Sequence, residues 1–159
     1  MSVSPDAFKE GLGRWATGVT IVTARNGDTV HGMTVSAFNE VSLDPPLVLI
    51  CADRSGNTWP VIRDSGAFAV NILSREQEAL SNRFASKRDE WRRFEGLDYD
   101  TGPTGAPLLR DVVANLDCRL VAAPEHGDHF VCIGQVEEVR HSEQEPLLHY
   151  RGRYGGLSD

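Results

Sequence analysis

Val19-Thr20-Ile21-Val22-Thr23, the turn signal Asn26-Gly27-Asp28, and the return run Val30 to Ser36 decide the fold. The first run is β-branched throughout, and branching at Cβ favours extended backbone. Asn-Gly between two such runs predicts a hairpin. Upstream, Ser4 stands as an N-cap before Pro5, and Phe8, Leu12 and Trp15 recur at helical spacing. A helix over 5–15 follows, ended by Gly18. Downstream, Pro45-Pro46 breaks the chain before the strand Leu47–Ala52, a short helix covers 59–64, and Ala67–Leu73 is another strand. Ser74 caps a helix with Glu76 and Glu78 early and Arg83 late, in the sense the helix dipole favours.

Residues 96–107, rich in Gly and Pro, predict an irregular loop. Strands at Asn115–Val121, His129–Arg140 and Leu147–Tyr150 complete the chain. About six or seven strands outnumber two substantial helices, and regular β-α-β alternation is missing. The expected fold is therefore mainly β, one domain over 1–159, a small antiparallel barrel with helical insertions.

Charge narrows the partners. Sixteen Lys and Arg against 23 Asp and Glu give a net charge of −7, which argues against nucleic acid or an anionic membrane surface. The longest apolar run, Leu47–Ala52, is far too short to span a bilayer. Met1–Asp6 has neither a basic segment nor an apolar one, so the expectation is a cytoplasmic protein without a secretory leader. The 3 cysteines, Cys51, Cys118 and Cys132, form no C-x-x-C pair and sit in apolar runs, reading as small buried hydrophobes.

Four motifs carry or mimic chemistry. Gly11-x-Gly13-x-x-Ala16 matches a dinucleotide fingerprint as a string but has no strand before it, so it fails on context. Glu125-His126-Gly127-Asp128-His129 gathers metal-type ligands, yet in a glycine turn running into a strand; a turn presenting Asp128 and His129 outweighs a metal site. Asp53-Arg54-Ser55-Gly56-Asn57-Thr58 follows a buried strand and opens a helix. Arg54, Ser55, Asn57 and Thr58 there offer a phosphate cradle, with a solvated turn as the plainer reading. Tyr150-Arg151-Gly152-Arg153-Tyr154 sets two arginines between two tyrosines, suited to an anion or a flat ring, or else to a solvated tail.

Taken in order, these pieces resemble the flavin reductase-like family with its FMN-binding split barrel. The resemblance runs through Gly13–Thr23, Gly32–Phe38, Val41–Leu49, Gly66–Leu73, Gly127–His129, Gly134–Val136 and Pro146–Tyr154, nearly the whole chain. It implies the reductase component of a two-component monooxygenase, in which NADH or NADPH reduces FMN or FAD and the reduced flavin diffuses to a partner oxygenase. Thr34, Val35, Ser36 and Ala37 would then meet the isoalloxazine, flanked by Cys51, Ala52 and Asp53. Ser55, Asn57 and Thr58 would hold the ribityl phosphate, and Arg83 and Phe84 would close that end. His129 and the run Tyr150, Arg151, Gly152 and Arg153 would face the nicotinamide nucleotide, away from the flavin elements. No metal is implied. Trp15 and Ala37 depart from the residues commonest in the family, and Ala37 alters one flavin contact.

The implied chemistry is direct hydride transfer, with backbone N–H groups of Thr34–Ala37 stabilising charge on the flavin and His129 positioning the nucleotide. A homodimer is expected, because a small barrel with exposed edges gains from covering them. Two alternatives use the same fold: an enzyme that retains its flavin and acts directly on an organic substrate, and a non-catalytic flavin-binding module.

Overall fold

The computed structural model describes residues 2–157. After helix α1 (Pro5–Leu12) come β1 (Thr17–Gly18), β2 (Thr20–Asn26), β3 (Thr29–Val35), β4 (Phe38–Ser42) and β5 (Leu47–Asp53). Helix α2 (Thr58–Ser65) leads to β6 (Ala67–Ile72), and a 3-10 turn at Arg75–Gln77 runs into α3 (Glu78–Ala85). A second 3-10 turn, Glu90–Arg92, precedes β7 (Tyr99–Thr101), β8 (Pro107–Leu109), β9 (Ala114–Ala122) and β10 (Glu125–His126). The long strand β11 (His129–His141) and the hairpin of β12 (Leu148–Tyr150) and β13 (Arg153–Gly155) end the chain.

The main sheet runs β3-β2-β6-β9-β11-β5-β4, antiparallel throughout, with β10 folded back on β11. Its two outermost strands, β3 and β4, are consecutive in the chain and joined by Ser36 and Ala37 alone. A link that short spans roughly 10 Å at full extension. The ends of the sheet are thus held together, and the sheet curls into a half-barrel with a seam at residues 35–38. This is the mainly β, antiparallel architecture the sequence predicts.

Strand β2 supplies both sides of the sheet. Val22 and Ala24 face one core with Ile50, Ile62, Phe68 and Val70, while Ile21 faces a second with Leu73, Phe84, Leu109 and Leu147. Between them Asn71, fully buried, is saturated: its amide donates to the Ile21 carbonyl (2.9 Å) and Thr23 Oγ1 (3.0 Å). Its carbonyl oxygen accepts from the Leu109 amide (2.9 Å) and Asn115 Nδ2 (2.8 Å). A buried amide with every group paired fixes register as apolar packing alone does not.

The differences from expectation have local causes. Helix α1 stops at Leu12 with Gly13 as its cap, and the chain at Gly18 is already strand. The helix buries none of its residues, because no core lies under its apolar face in this chain. The 59–64 helix spans 58–65 and ends on Gly66 at φ +69°, a left-handed cap. The Ser74 amide donates to Gln77 Oε1 (3.0 Å), but the first turn it opens is 3-10, and α3 begins at Glu78. The loop over 96–107 contains β7 and the start of β8. Strand β4 goes unpredicted because it is a polar edge, exposed at Asn39, Glu40 and Val41.

Strand β11 bends through irregularities at Ile133/Gly134 and Val136/Glu138. A Cβ on Gly134 would lie 2.5 Å from Cζ of Phe68 and 2.9 Å from Cβ of Cys118, both in the closed core. Gly134→Ala is expected to destabilise the protein by about 1–3 kcal/mol through overpacking, read from urea unfolding. An unchanged midpoint would show that β11 moves freely over Phe68.

Candidate functional site

The seam opens hollows on either side of the end of β3. On one side is a cleft of about 390 Å³ whose walls include Thr34, Asp53, Ser55, Asn57, Thr58 and Phe84. The resemblance placed these residues together, and the fold brings them together. On the other side a hollow of about 460 Å³ is lined by Leu12, Trp15, Ser36, Ala37, Phe38 and His149. A third, of about 320 Å³, shares Trp15, Ser36 and Phe38 with it. Val35 and Ala52 belong to the core, Ala52 fully buried, and line neither the cleft nor the Trp15 hollow. The Val35 carbonyl already accepts from Thr20 Oγ1 (2.6 Å). Cys51 is half-buried, its thiol pushed up by desolvation, and its amide donates to the Ala37 carbonyl (3.2 Å).

The turn after β5 is held by Asp53. Oδ1 of that carboxylate accepts from both the amide and the hydroxyl of Ser55, each at 2.7 Å. These bonds, the hydroxyl's above all, hold the Asp53 carboxyl below the usual carboxylate range. Two expected cations are used elsewhere. Arg54 turns away to Glu125 (2.6 Å), and Arg83 donates to the carbonyls of Arg92 (3.0 Å) and Glu95 (2.5 Å). Arg83 therefore does not close the phosphate end; it ties down the 3-10 turn beyond α3.

The cations in the cleft are Lys87 and Arg93. Arg93 is buried, donating to the carbonyls of Gly32 (2.6 Å) and Ser86 (2.5 Å), with its Nε unpartnered among the described residues. Glu90 joins them, accepting from Asn57 Nδ2 (2.7 Å) with Oε1. Below, Thr58 Oγ1 lies 2.8 Å from Nδ1 of His31. None of Lys87, Arg93, Glu90 or His31 stands out in the sequence. Lys87 and Arg93 sit in the charge-dense stretch Ser86–Glu95, where a buried arginine reads like its solvated neighbours.

The late segments divide between the hollows. His129 is the cross-strand partner of Asp53, and the Arg54 amide donates to the Asp128 carbonyl (2.9 Å). His129 thus stands beside the 53–58 turn, contrary to the expected separation from the flavin elements. Its Nδ1 lies 2.7 Å from Asp128 Oδ1. Tyr150–Arg153 form a two-residue hairpin turn with positive φ at Arg151 (50°) and Gly152 (75°). The Arg151 amide donates to the Gly13 carbonyl (3.0 Å), which sets this turn at the Trp15 hollow.

Comparison with known proteins shows the family. The model of the flavin reductase like domain matches residues 12–158. The chain belongs to the flavin reductase-like family. It is 44% identical to a flavin reductase of Pseudomonas putida over 99% of this chain and 92% of that one. It is 38% identical to HsaB of Rhodococcus jostii, the reductase subunit of a flavin-dependent monooxygenase, over 98% and 80%. The structure of SgcE6, an NADH:FAD oxidoreductase of Streptomyces globisporus, superposes with a TM-score of 0.92 at 32% identity, covering 100% and 98%.

The donor set of this flavin reductase-like chain fits a phosphorylated flavin. Asn57 makes no side-chain cap to α2, so the helix's first amides take no bond from that side chain. Ser55, Lys87 and the buried guanidinium of Arg93 surround the same space. The hollow at Ser36–Ala37, walled by Trp15 and Phe38, has the apolar surface a flat ring needs.

Proposed function

We propose that this protein is an NAD(P)H:flavin oxidoreductase that passes reduced flavin to a separate monooxygenase. The observation that carries this reading is a cleft holding Lys87 and the buried guanidinium of Arg93, with an open ring-sized hollow on the other side of the end of β3, in a chain of this family. A bound flavin, FMN or FAD, supplies the ring that accepts a hydride from NADH or NADPH.

The protein's own residues bind and orient. Thr58, Lys87 and Arg93 hold the phosphate, joined by Ser55 once its hydroxyl turns from Asp53 Oδ1, and backbone N–H groups over Thr34–Ala37 donate toward charge developing on the ring. Asp128 fixes one ring nitrogen of His129, leaving Nε2 to hydrogen-bond the nicotinamide nucleotide. Arg151 and Arg153, between Tyr150 and Tyr154, offer charge and stacking for its far end. The hollow's openness to solvent supports exchange of flavin with a partner enzyme.

The working unit is a homodimer. Phe8 and Leu12 on α1, Trp15 just beyond it, and Val41 and Leu43 near the β4 edge are exposed, Trp15 by 75% and Leu43 by 93%. A second copy on this face would cover them and wall the Trp15 hollow. A cytoplasmic location is supported by three free cysteines, of which Cys118 and Cys132 are buried with thiols pushed up to about 12 by desolvation. Among the described residues no helix is long and apolar enough to cross a membrane.

The test is NADH and NADPH consumption with and without added free FMN or FAD. Saturable dependence on added flavin, with no organic substrate present, is the expected result. Turnover that needs only an organic substrate would establish the flavin-retaining alternative, and no turnover under any combination would leave a binding module.

A further inference from the structure

His31 lies on β3 directly beneath the cleft, buried to 1% exposure, and the function above gives it no task. Its Nδ1 meets Thr58 Oγ1 at 2.8 Å. Its Nε2 is 3.5 Å from Glu90 Oε2 and has no hydrogen-bond partner among the described residues. The ring of Trp91 closes over it edge-on, with centroids 4.8 Å apart. A buried imidazole between a hydroxyl that lines an anion cleft and a carboxylate has three possible proton arrangements, and they are not equivalent.

With its proton on Nε2 alone, His31 faces Glu90 favourably but must accept at Nδ1. Thr58 then spends its only O–H on the imidazole and shows lone pairs to the cleft, which repel phosphate. With the proton on Nδ1 alone, Thr58 is free to donate outward, but the Nε2 lone pair faces the Glu90 carboxylate. The imidazolium satisfies both sides: Nδ1–H donates to Thr58, Nε2–H points at Glu90, and the Thr58 O–H is released toward the cleft.

We propose that Glu90, His31 and Thr58 form a proton-coupled relay, in which His31 takes up a proton from solvent when a phosphate enters the cleft and so turns Thr58 into a donor to it. His31 is a positioning residue here, acting through Thr58. The proposal rests on the phosphate reading of the cleft.

The charged groups facing His31 are Glu90 and Arg93, both from the segment that follows α3; α2 contributes the neutral Thr58 hydroxyl. Burial, then Arg93, holds the imidazole below its ordinary 6.5, and Glu90 opposes them. The free protein near neutral pH therefore keeps His31 uncharged, ready to gain a proton. An entering phosphate offsets Arg93 and tips the balance. Because the bound state holds the extra proton, binding is favoured at low pH and weakens as pH rises.

The test is calorimetric titration of native protein, His31→Gln and Glu90→Gln with FMN and with riboflavin, in buffers of differing ionisation enthalpy. Near-neutral pH covers the histidine range. The FMN phosphate itself titrates at about pH 6, so His31→Gln serves as the reference for the ligand's own protons. Native protein is expected to take up close to one proton more than His31→Gln on binding FMN, and none on binding riboflavin. Its Kd for FMN should climb with pH more steeply than that of His31→Gln, by up to about tenfold per unit, the single-proton limit.

Glu90→Gln, which leaves the buried imidazole in place, should move this pH profile to the acid side. FMN bound in preference to riboflavin, but with equal proton uptake in native protein and His31→Gln, would overturn the relay and leave the phosphate reading standing. So would an unmoved profile in Glu90→Gln. Equal affinity of native protein for FMN and riboflavin would overturn both.

Discussion

Because only Ser36 and Ala37 separate β3 from β4, the two ends of the main sheet are tethered, and the hollows assigned to the ligand follow from that tether. A closed ladder there would leave no gap, and a longer link would let the ends splay. With two residues the sheet curls but does not zip, so Ser36 and Ala37 stay exposed. The 53–58 turn and the β3 end then line one cleft, though about twenty residues of sequence lie between them.

Much of this was legible in the chain, for stated reasons. Central strands such as Thr20–Asn26 are rich in β-branched residues and buried on both faces, so their type is written locally. The β4 edge was invisible because edge strands are kept polar, and Asn39-Glu40 reads as loop. The short strands β7 and β8 were lost in a Gly and Pro background. The spacing of Phe8, Leu12 and Trp15 looks like a core stripe and predicts a helix longer than α1, whose apolar face instead lies open to solvent.

The cleft was half legible. Ser55, Asn57 and Thr58 stand next to one another in the sequence, so a turn before a helix is recognisable as an anion site. The cations are another matter. Arg54 and Arg83 have the right charge in plausible places, yet Glu125 claims one and two backbone carbonyls claim the other. Arg93, whose place depends on burial against Gly32 and Ser86, supplies the charge instead. Asp53 and Glu90 balance Lys87 and Arg93 in the cleft's lining, so the two cations act on an anionic ligand by direct contact and not through a net positive field.

The claim on which all of this depends is that the phosphate enters the cleft while the ring lies across the seam. A crystal structure of the protein with FMN tests it most directly. The account predicts phosphate oxygens within hydrogen-bonding distance of Ser55, Thr58 and Lys87, with the ring against Ser36 and Ala37. A phosphate found instead beside Trp15 and His149, or among Arg88 and Arg92, would contradict it.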